Sequence, residues 1–127
     1  MLEKARVRAI YNELACRDIV EFTKSDTRSY DLVTSTDVFI YVGDLSPVFN
    51  SVYHRLNVSG YFAFSIEATN KGNYILTESG RYQHTKKYLE QLGHDNGFKI
   101  HAIDDCILRK EGQREVSGFL ALMSRCR

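Results

Sequence analysis

The chain has 127 residues, 43% of them hydrophobic and 26% charged, a composition that fits one globular domain with enough apolar content for a core. Lysine plus arginine number 17 against 16 for aspartate plus glutamate, a formal net charge of +1 with no basic stripe, which argues against a nucleic-acid binder. No run approaches the roughly 20 apolar residues that span a bilayer, and the opening MLEKARVRAI carries charges where a signal peptide is apolar, so a cytoplasmic protein without membrane contact is expected.

Three cysteines, Cys16, Cys106 and Cys126, are odd in number and lack C-x-x-C spacing. Reduced thiols are therefore expected, and no metal site. There is no internal repeat, low-complexity tract or linker, and residues 1–127 read as a single domain.

In chain order, residues 1–14 read as the end of a helix and a turn, with Leu2, Ala5, Ala9 and Ile10 near helical spacing. Asp18 stands before Ile-Val-Glu-Phe, as a helix N-cap would. A short amphipathic helix and a polar loop follow up to Tyr30. Residues 30–45, YDLVTSTDVFIYVGDL, are the centre of the chain: Tyr30, Leu32 and Val33 form the apolar run of a strand covered on both faces. The polar group Thr34-Ser35-Thr36-Asp37 lies at its carboxyl end, where open α/β sheets bind ligands.

Ser46 as N-cap with Pro47 at the first helical position predicts a helix through about Leu56. Its core stripe is Val48, Val52 and Leu56, flanked by Phe49 and Tyr53. Val58-Ser59-Gly60 then turns into a strand over 61–67, where Phe62, Phe64 and Ile66 alternate with Tyr61, Ala63 and Ser65. Residues 68–83 form a polar, irregular connection at the strand's carboxyl end, a place where function often sits. In and beside it Tyr74, Arg81, Tyr82 and His84 offer hydrogen-bonding and π surfaces; Arg81 and His84 equally suit the capping of a helix end. Thr85 as N-cap with Tyr88, Leu89 and Leu92 predicts a helix that stops between Gly93 and Gly97. His94 and His101 lack partners at metal-ligand spacing and read as structural. Two strands, 99–109 and 115–124, turn at Gly112, the second with Phe119, Ala121 and Met123 on one side, Gly118, Leu120 and Leu122 on the other, and both sides buried.

The residues at 30–45, Arg55-Leu56 with Gly60-x-Phe62-x-Phe64-Ser65, Gly80-Arg81-Tyr82-x-His84 and Gly97-Phe98 together resemble the carboxyl-terminal half of a class I S-adenosylmethionine-dependent methyltransferase. The likeness is to bacterial enzymes sometimes found with tetratricopeptide repeats, and one departure is Val58-Ser59-Gly60, where the family usually carries Pro-Gly-Gly. The resemblance implies an α/β fold: an incomplete, mostly parallel Rossmann-like sheet, a carboxyl-terminal antiparallel hairpin, and helices on both faces. It makes Leu14 to Asp18 a strand, and Asp18, Ser35, Thr36 and Tyr41 cofactor-side residues. Asp37 becomes the residue that accepts a proton from the methyl acceptor or orients it, against the plainer role of a loop or N-cap hydrogen bond. Tyr74, Arg81, Tyr82 and His84 become substrate-side candidates.

The eight glycines, at 43, 60, 72, 80, 93, 97, 112 and 118, contain no G-x-G. The Gly-rich first turn and the second-strand carboxylate that such enzymes use for the cofactor are therefore missing from the sequence. Two charge-assisted hydrogen bonds of about 1.5–3 kcal/mol each correspond to roughly 100-fold to 10⁴-fold in affinity. Weak or absent cofactor binding by the isolated chain follows. The missing first strand would leave strand 30–34 with an open apolar edge, which predicts a homodimer or a separately encoded amino-terminal half covering it. The two functional readings are methyl transfer to a small or unknown acceptor and a non-catalytic remnant of the fold used for assembly. Nucleotide or phosphate binding has no Gly-rich loop or P-loop lysine behind it.

Overall fold

The computed structural model describes residues 28–126. The helix end expected over 1–14, the strand expected at Leu14 to Asp18 and the helix expected after it lie outside them.

Strand β1 (Tyr30–Ser35) is followed by a single 3-10 turn (Phe39–Tyr41) and helix α1 (Ser46–Arg55), which returns the chain to strand β2 (Leu56–Glu67). A small hairpin, β3 (Tyr74–Leu76) with β4 (Tyr82–His84), leads to helix α2 (Lys86–Asp95), and a long hairpin, β5 (Phe98–Glu111) with β6 (Arg114–Arg125), completes the described chain. The main sheet has the order β1-β2-β6-β5. β1 and β2 are parallel, whereas β2–β6 and β6–β5 are antiparallel. The described sheet is thus more antiparallel than expected, because β6 inserts between β2 and β5.

Local chemistry fixes each boundary. Pro47 occupies the first turn of α1, but the N-cap is Leu45 with no side-chain cap, not Ser46 as the sequence suggests. Asp44 takes that part: its Oδ1 accepts from the Ser46 N–H at 3.0 Å. At the other end Arg125 donates to the carbonyls of Tyr53 and Leu56, at 3.1 and 2.6 Å, and lies over the Tyr53 ring. Thr85 caps α2 as expected, accepting from the Tyr88 N–H. The β5–β6 turn puts Gly112 at φ 63°, a conformation only glycine takes at little cost. At the bend within β2 the positive φ, 68°, falls on Ser59 and not on Gly60.

The core lies on one face of the sheet. Phe62, Phe64 and Ile66 of β2 sit level with Met123, Ala121 and Phe119 of β6. Phe49 of α1 meets the rings of Phe62, Phe64 and Phe98 edge-on at 5.5–5.8 Å, while Leu89 and Leu92 of α2 close the layer. Both described helices cover this face. The expected second layer of helices is not among the described residues, and the opposite face is largely open. Two expectations are corrected here. β6 is not buried on both sides, since Leu120 is 51% exposed and Leu122 is exposed beside it. β1 is not covered on both faces, since Leu32 is 58% exposed and β1 is the end strand of the described sheet. The cause is shared: Leu32, Tyr61, Leu120 and Leu122 point to the side away from α1 and α2. No helix among the described residues is long and apolar enough to cross a membrane.

Candidate functional site

The rim of the sheet where β1 and β2 end gathers polar side chains from four segments. β1 delivers Ser35, and the chain then breaks sharply: Asp37 has φ 54°, in the left-handed region that costs a non-glycine residue energy. Two contacts hold it there. Its backbone N–H donates to Ser65 Oγ at 3.1 Å, and its Oδ1 accepts from Arg109 Nη1 at 2.9 Å. Alternation places Ser65 and Glu67 on the face away from the helices, so the last turn of β2 presents a hydroxyl and a carboxylate to the rim.

Glu67 is the anchor of this region. Its side chain is only 6% exposed, yet it accepts from Arg81 Nε at 3.1 Å, Gln83 Nε2 at 3.2 Å and Arg109 Nη2 at 3.5 Å. A carboxylate so deeply placed requires such partners. Arg81 and Arg109 also meet Glu111 Oε1, at 2.8 and 3.3 Å. The Glu67 and Glu111 carboxylates hold Arg81 firmly in its cationic form, its pKa raised first by the hydrogen bond to Glu67. Two guanidinium groups from separate hairpins thus stand side by side, with a buried carboxylate behind and exposed ones in front.

Below Asp37, Thr36, Ser65, Cys106, Leu108 and Leu120 line a cavity of about 230 Å³. It shares Thr36 and Leu120 with an apolar groove of about 350 Å³ along the sheet face away from the helices, which Thr34, Ala63, Ala102 and Leu122 also line. Burial pushes the Cys106 thiol pKa up, so this cysteine is held as a thiol.

The substrate-side candidates divide. Arg81 joins the rim. Tyr74, Tyr82 and His84 form a separate cluster that grips the loop after β1: a Cβ on Gly43 would lie 2.7 Å from the Tyr82 ring and 2.9 Å from Tyr74. His84 is fully buried, with Nε2 3.0 Å from the Gly43 carbonyl and its ring stacked on Tyr88. Desolvation lowers its pKa below the ordinary value, so the neutral ring donates Nε2–H to Gly43. Tyr88 accepts from the Leu45 N–H and donates to Asp44 Oδ1, so the hairpin and α2 together fix residues 43–45. The long connection after β2 is therefore an ordered clasp, not the irregular loop expected. Among the described residues Arg81 and His84 cap no helix.

Of the cofactor-side candidates, Asp18 lies outside the described residues. Ser35 is buried, and its Oγ has no partner among the described residues; Thr36 is exposed, and Tyr41 is 71% exposed one turn beyond Asp37. Sequence reasoning missed Glu67, Arg109 and Glu111. Glu67 carried a usable signal, a carboxylate at the carboxyl end of an alternating apolar strand. Arg109 carried none, since a charged residue near a hairpin end reads as solvated surface. Among the described residues no group of three His, Cys, Asp or Glu side chains is arranged to hold a metal ion.

No protein-family model matches the sequence, and no curated protein matches it. Solved structures do. The chain superposes on an S-adenosylmethionine-dependent methyltransferase from Clostridium acetobutylicum with a TM-score of 0.69 and 16% identity, covering 98% of this chain and 69% of that one. The N-methyltransferase NodS from Bradyrhizobium japonicum, in complex with S-adenosyl-L-homocysteine, gives 0.70 and 16%, over 97% of this chain and 59% of that one. Magnesium protoporphyrin IX methyltransferase from Synechocystis, with bound S-adenosylmethionine, gives 0.65 and 18%, over 98% and 52%. The chain thus spans between 52% and 69% of the length of these structures. The fold is that of S-adenosylmethionine-dependent methyltransferases.

Proposed function

We propose that this chain takes part in S-adenosylmethionine-dependent methyl transfer to a small-molecule acceptor. The observation that carries the reading is Asp37: a strained residue at the end of β1, fixed by Ser65 and Arg109, at the mouth of a cavity on a methyltransferase fold. Strain of this kind is retained where the surroundings over-determine it, and it concentrates at working sites.

The β1 end fits the adjoining part of the cofactor: the buried Ser35 hydroxyl needs a partner, Thr36 is exposed, and Tyr41 presents its ring to solvent. These three, with Asp18, are the residues that would hold it. When bound, S-adenosylmethionine supplies an activated methyl group. The chain's own side chains then position the acceptor and exclude water, and Asp37 takes the proton of an O–H or N–H acceptor through the carboxylate oxygen that Arg109 leaves unbonded. Arg81 meets the acceptor at the rim, while Tyr74, Tyr82 and His84 hold the loop after β1 in place.

The reading includes a partner. A homodimer, or a separately encoded amino-terminal half, would cover the edge of strand 30–34 and complete the cofactor site. The test is calorimetric titration with S-adenosylmethionine and S-adenosylhomocysteine, with light scattering on the same sample. Micromolar binding by a dimer, or by the chain with its added half, is the expected result. A monodisperse monomer that binds neither ligand at millimolar concentration, with or without such a half, overturns the reading.

A further inference from the structure

The Arg81 and Arg109 guanidinium groups stand together at the rim, each in contact with both Glu67 and Glu111. Glu67 holds both guanidinium groups from behind, with its side chain 6% exposed. In front, Glu111 places a single oxygen, Oε1, against Arg81 Nη2 and Arg109 Nε, at 2.8 and 3.3 Å. The two sides are unequal. Glu67, at the end of β2 and paired with Gly118 of β6, has its side chain 6% exposed, whereas Glu111, the last residue of β5 beside the Gly112 turn, has its side chain 40% exposed. Exposed ion pairs of long side chains are weak and readily exchanged.

Arg109 also connects this pair to the cavity. Its Nη1 reaches Asp37, and Asp37 lines the cavity with Ser65, Leu108 and Leu120. One guanidinium thus touches the Glu111 carboxylate on one edge and the cavity mouth on another. Arginine's planar fork suits carboxylate geometry, and its charge cannot be titrated away. With Glu111 in place the two arginines face three carboxylates, those of Glu67, Asp37 and Glu111. An incoming carboxylate that displaces Glu111 leaves that balance unchanged.

We infer that Glu111 is an internal stand-in for a ligand carboxylate, and that the Arg81–Arg109 pair binds a small organic acid whose apolar body lies in the cavity over Leu108 and Leu120. This rests on the methyl-transfer reading only for the ligand's role as acceptor; the binding itself does not require it. Glu111 then acts as a gate, because the ligand must displace it.

Benzoate is the probe, titrated into the full chain by calorimetry without cofactor, against neutral benzamide. The wild-type chain is expected to bind benzoate weakly. Glu111→Gln, which keeps the side-chain shape but removes the charge, should tighten binding tenfold or more, and adding Arg81→Gln should cancel the gain. Benzamide should bind no variant measurably. Equal benzoate affinity in the wild type and Glu111→Gln overturns the inference, as does no binding by either or equal binding of benzamide. Thermal melts establish that each variant is folded. If Glu111→Gln is not, Glu111→Asp shortens the carboxylate reach in a charged form, and a gain smaller than tenfold is expected, with no gain overturning the inference. Benzoate failure beside intact S-adenosylhomocysteine binding removes this inference and leaves the methyl-transfer reading standing. The reverse pattern removes the reading and leaves the carboxylate site.

Discussion

The two faces of the main sheet use the same strands for opposite purposes. Toward α1 and α2, β2 presents Phe62, Phe64 and Ile66, all essentially without solvent contact. One residue along the same strand, Tyr61 is exposed, and Ala63 and Ser65 border the groove and cavity. Among the described residues the apolar core therefore lies on one face, while the other leaves Leu32, Leu120 and Leu122 exposed. The period of two in a strand separates these tasks within a single segment of sequence.

The sharpest way to break this comparison is to truncate one side chain on each face. Phe49→Ala removes the ring that meets Phe62, Phe64 and Phe98, and should cost about 3–5 kcal/mol. Leu120→Ala, on the half-exposed face, should cost less than about 1 kcal/mol. Urea unfolding of both variants measures the difference. Similar losses would mean that the open face is packed in solution and that the asymmetry is wrong.

Gly118 tests the boundary between the faces. A Cβ there would run into the Ile66 carbonyl oxygen and the Leu108 side chain. Gly118→Ala should destabilise by roughly 1–3 kcal/mol, since backbone cannot yield as a flexible side chain can. Leu108 also lines the cavity, so the same variant should alter ligand binding there.

A further prediction concerns pH. Burial of His84 lowers its pKa in the folded protein below the ordinary value of about 6.5 that it has when unfolded. The unfolded chain then binds more protons between the two values, so His84 contributes stability that is present above pH 6.5 and lost as pH falls toward the folded pKa. Melts between pH 7.5 and 5 should show this loss, and His84→Gln should flatten that part of the profile while lowering stability at pH 7.5. An unchanged slope in the variant would assign the acid sensitivity elsewhere.

How far the sequence could be read follows the same division. The covered face was legible because apolar periodicity records it directly: the α1 stripe, the alternation in β2, the Thr85 cap and the β5–β6 hairpin all appear where expected. The open face misled, because Leu120 and Leu122 are as apolar as buried residues and periodicity cannot say whether a second layer covers them. At the rim, Ser35, Thr36 and Asp37 were expected from their place at a strand end, and Arg81 from the polar connection after the next strand; the structure brings Asp37 and Arg81 to the same rim. Arg109 lies 72 residues from the Asp37 it holds, a separation that no local pattern reports. Tyr74, Tyr82 and His84 were identified as a group, but their convergence on Gly43 depends on a small hairpin hidden in a polar stretch.

The smallest effect expected is a gain. Ser59 holds φ 68° at the bend within β2, so a residue with a Cβ occupies a conformation suited to glycine. The left-handed region costs an L-residue about 1–2 kcal/mol, while glycine gives back part of that through the greater freedom of its unfolded chain. Ser59→Gly should therefore stabilise by about 0.5–1 kcal/mol. Ser59 is exposed and far from the Asp37 rim, at the opposite end of β2 from Glu67, so the gain should appear in urea midpoints without any change in benzoate binding. A loss of stability would mean that the Ser59 side chain supports the bend and compensates the strain locally. A gain would mean that this turn carries strain with no counterpart in the ligand site, in contrast to Asp37, whose left-handed φ of 54° is held by Ser65 and Arg109.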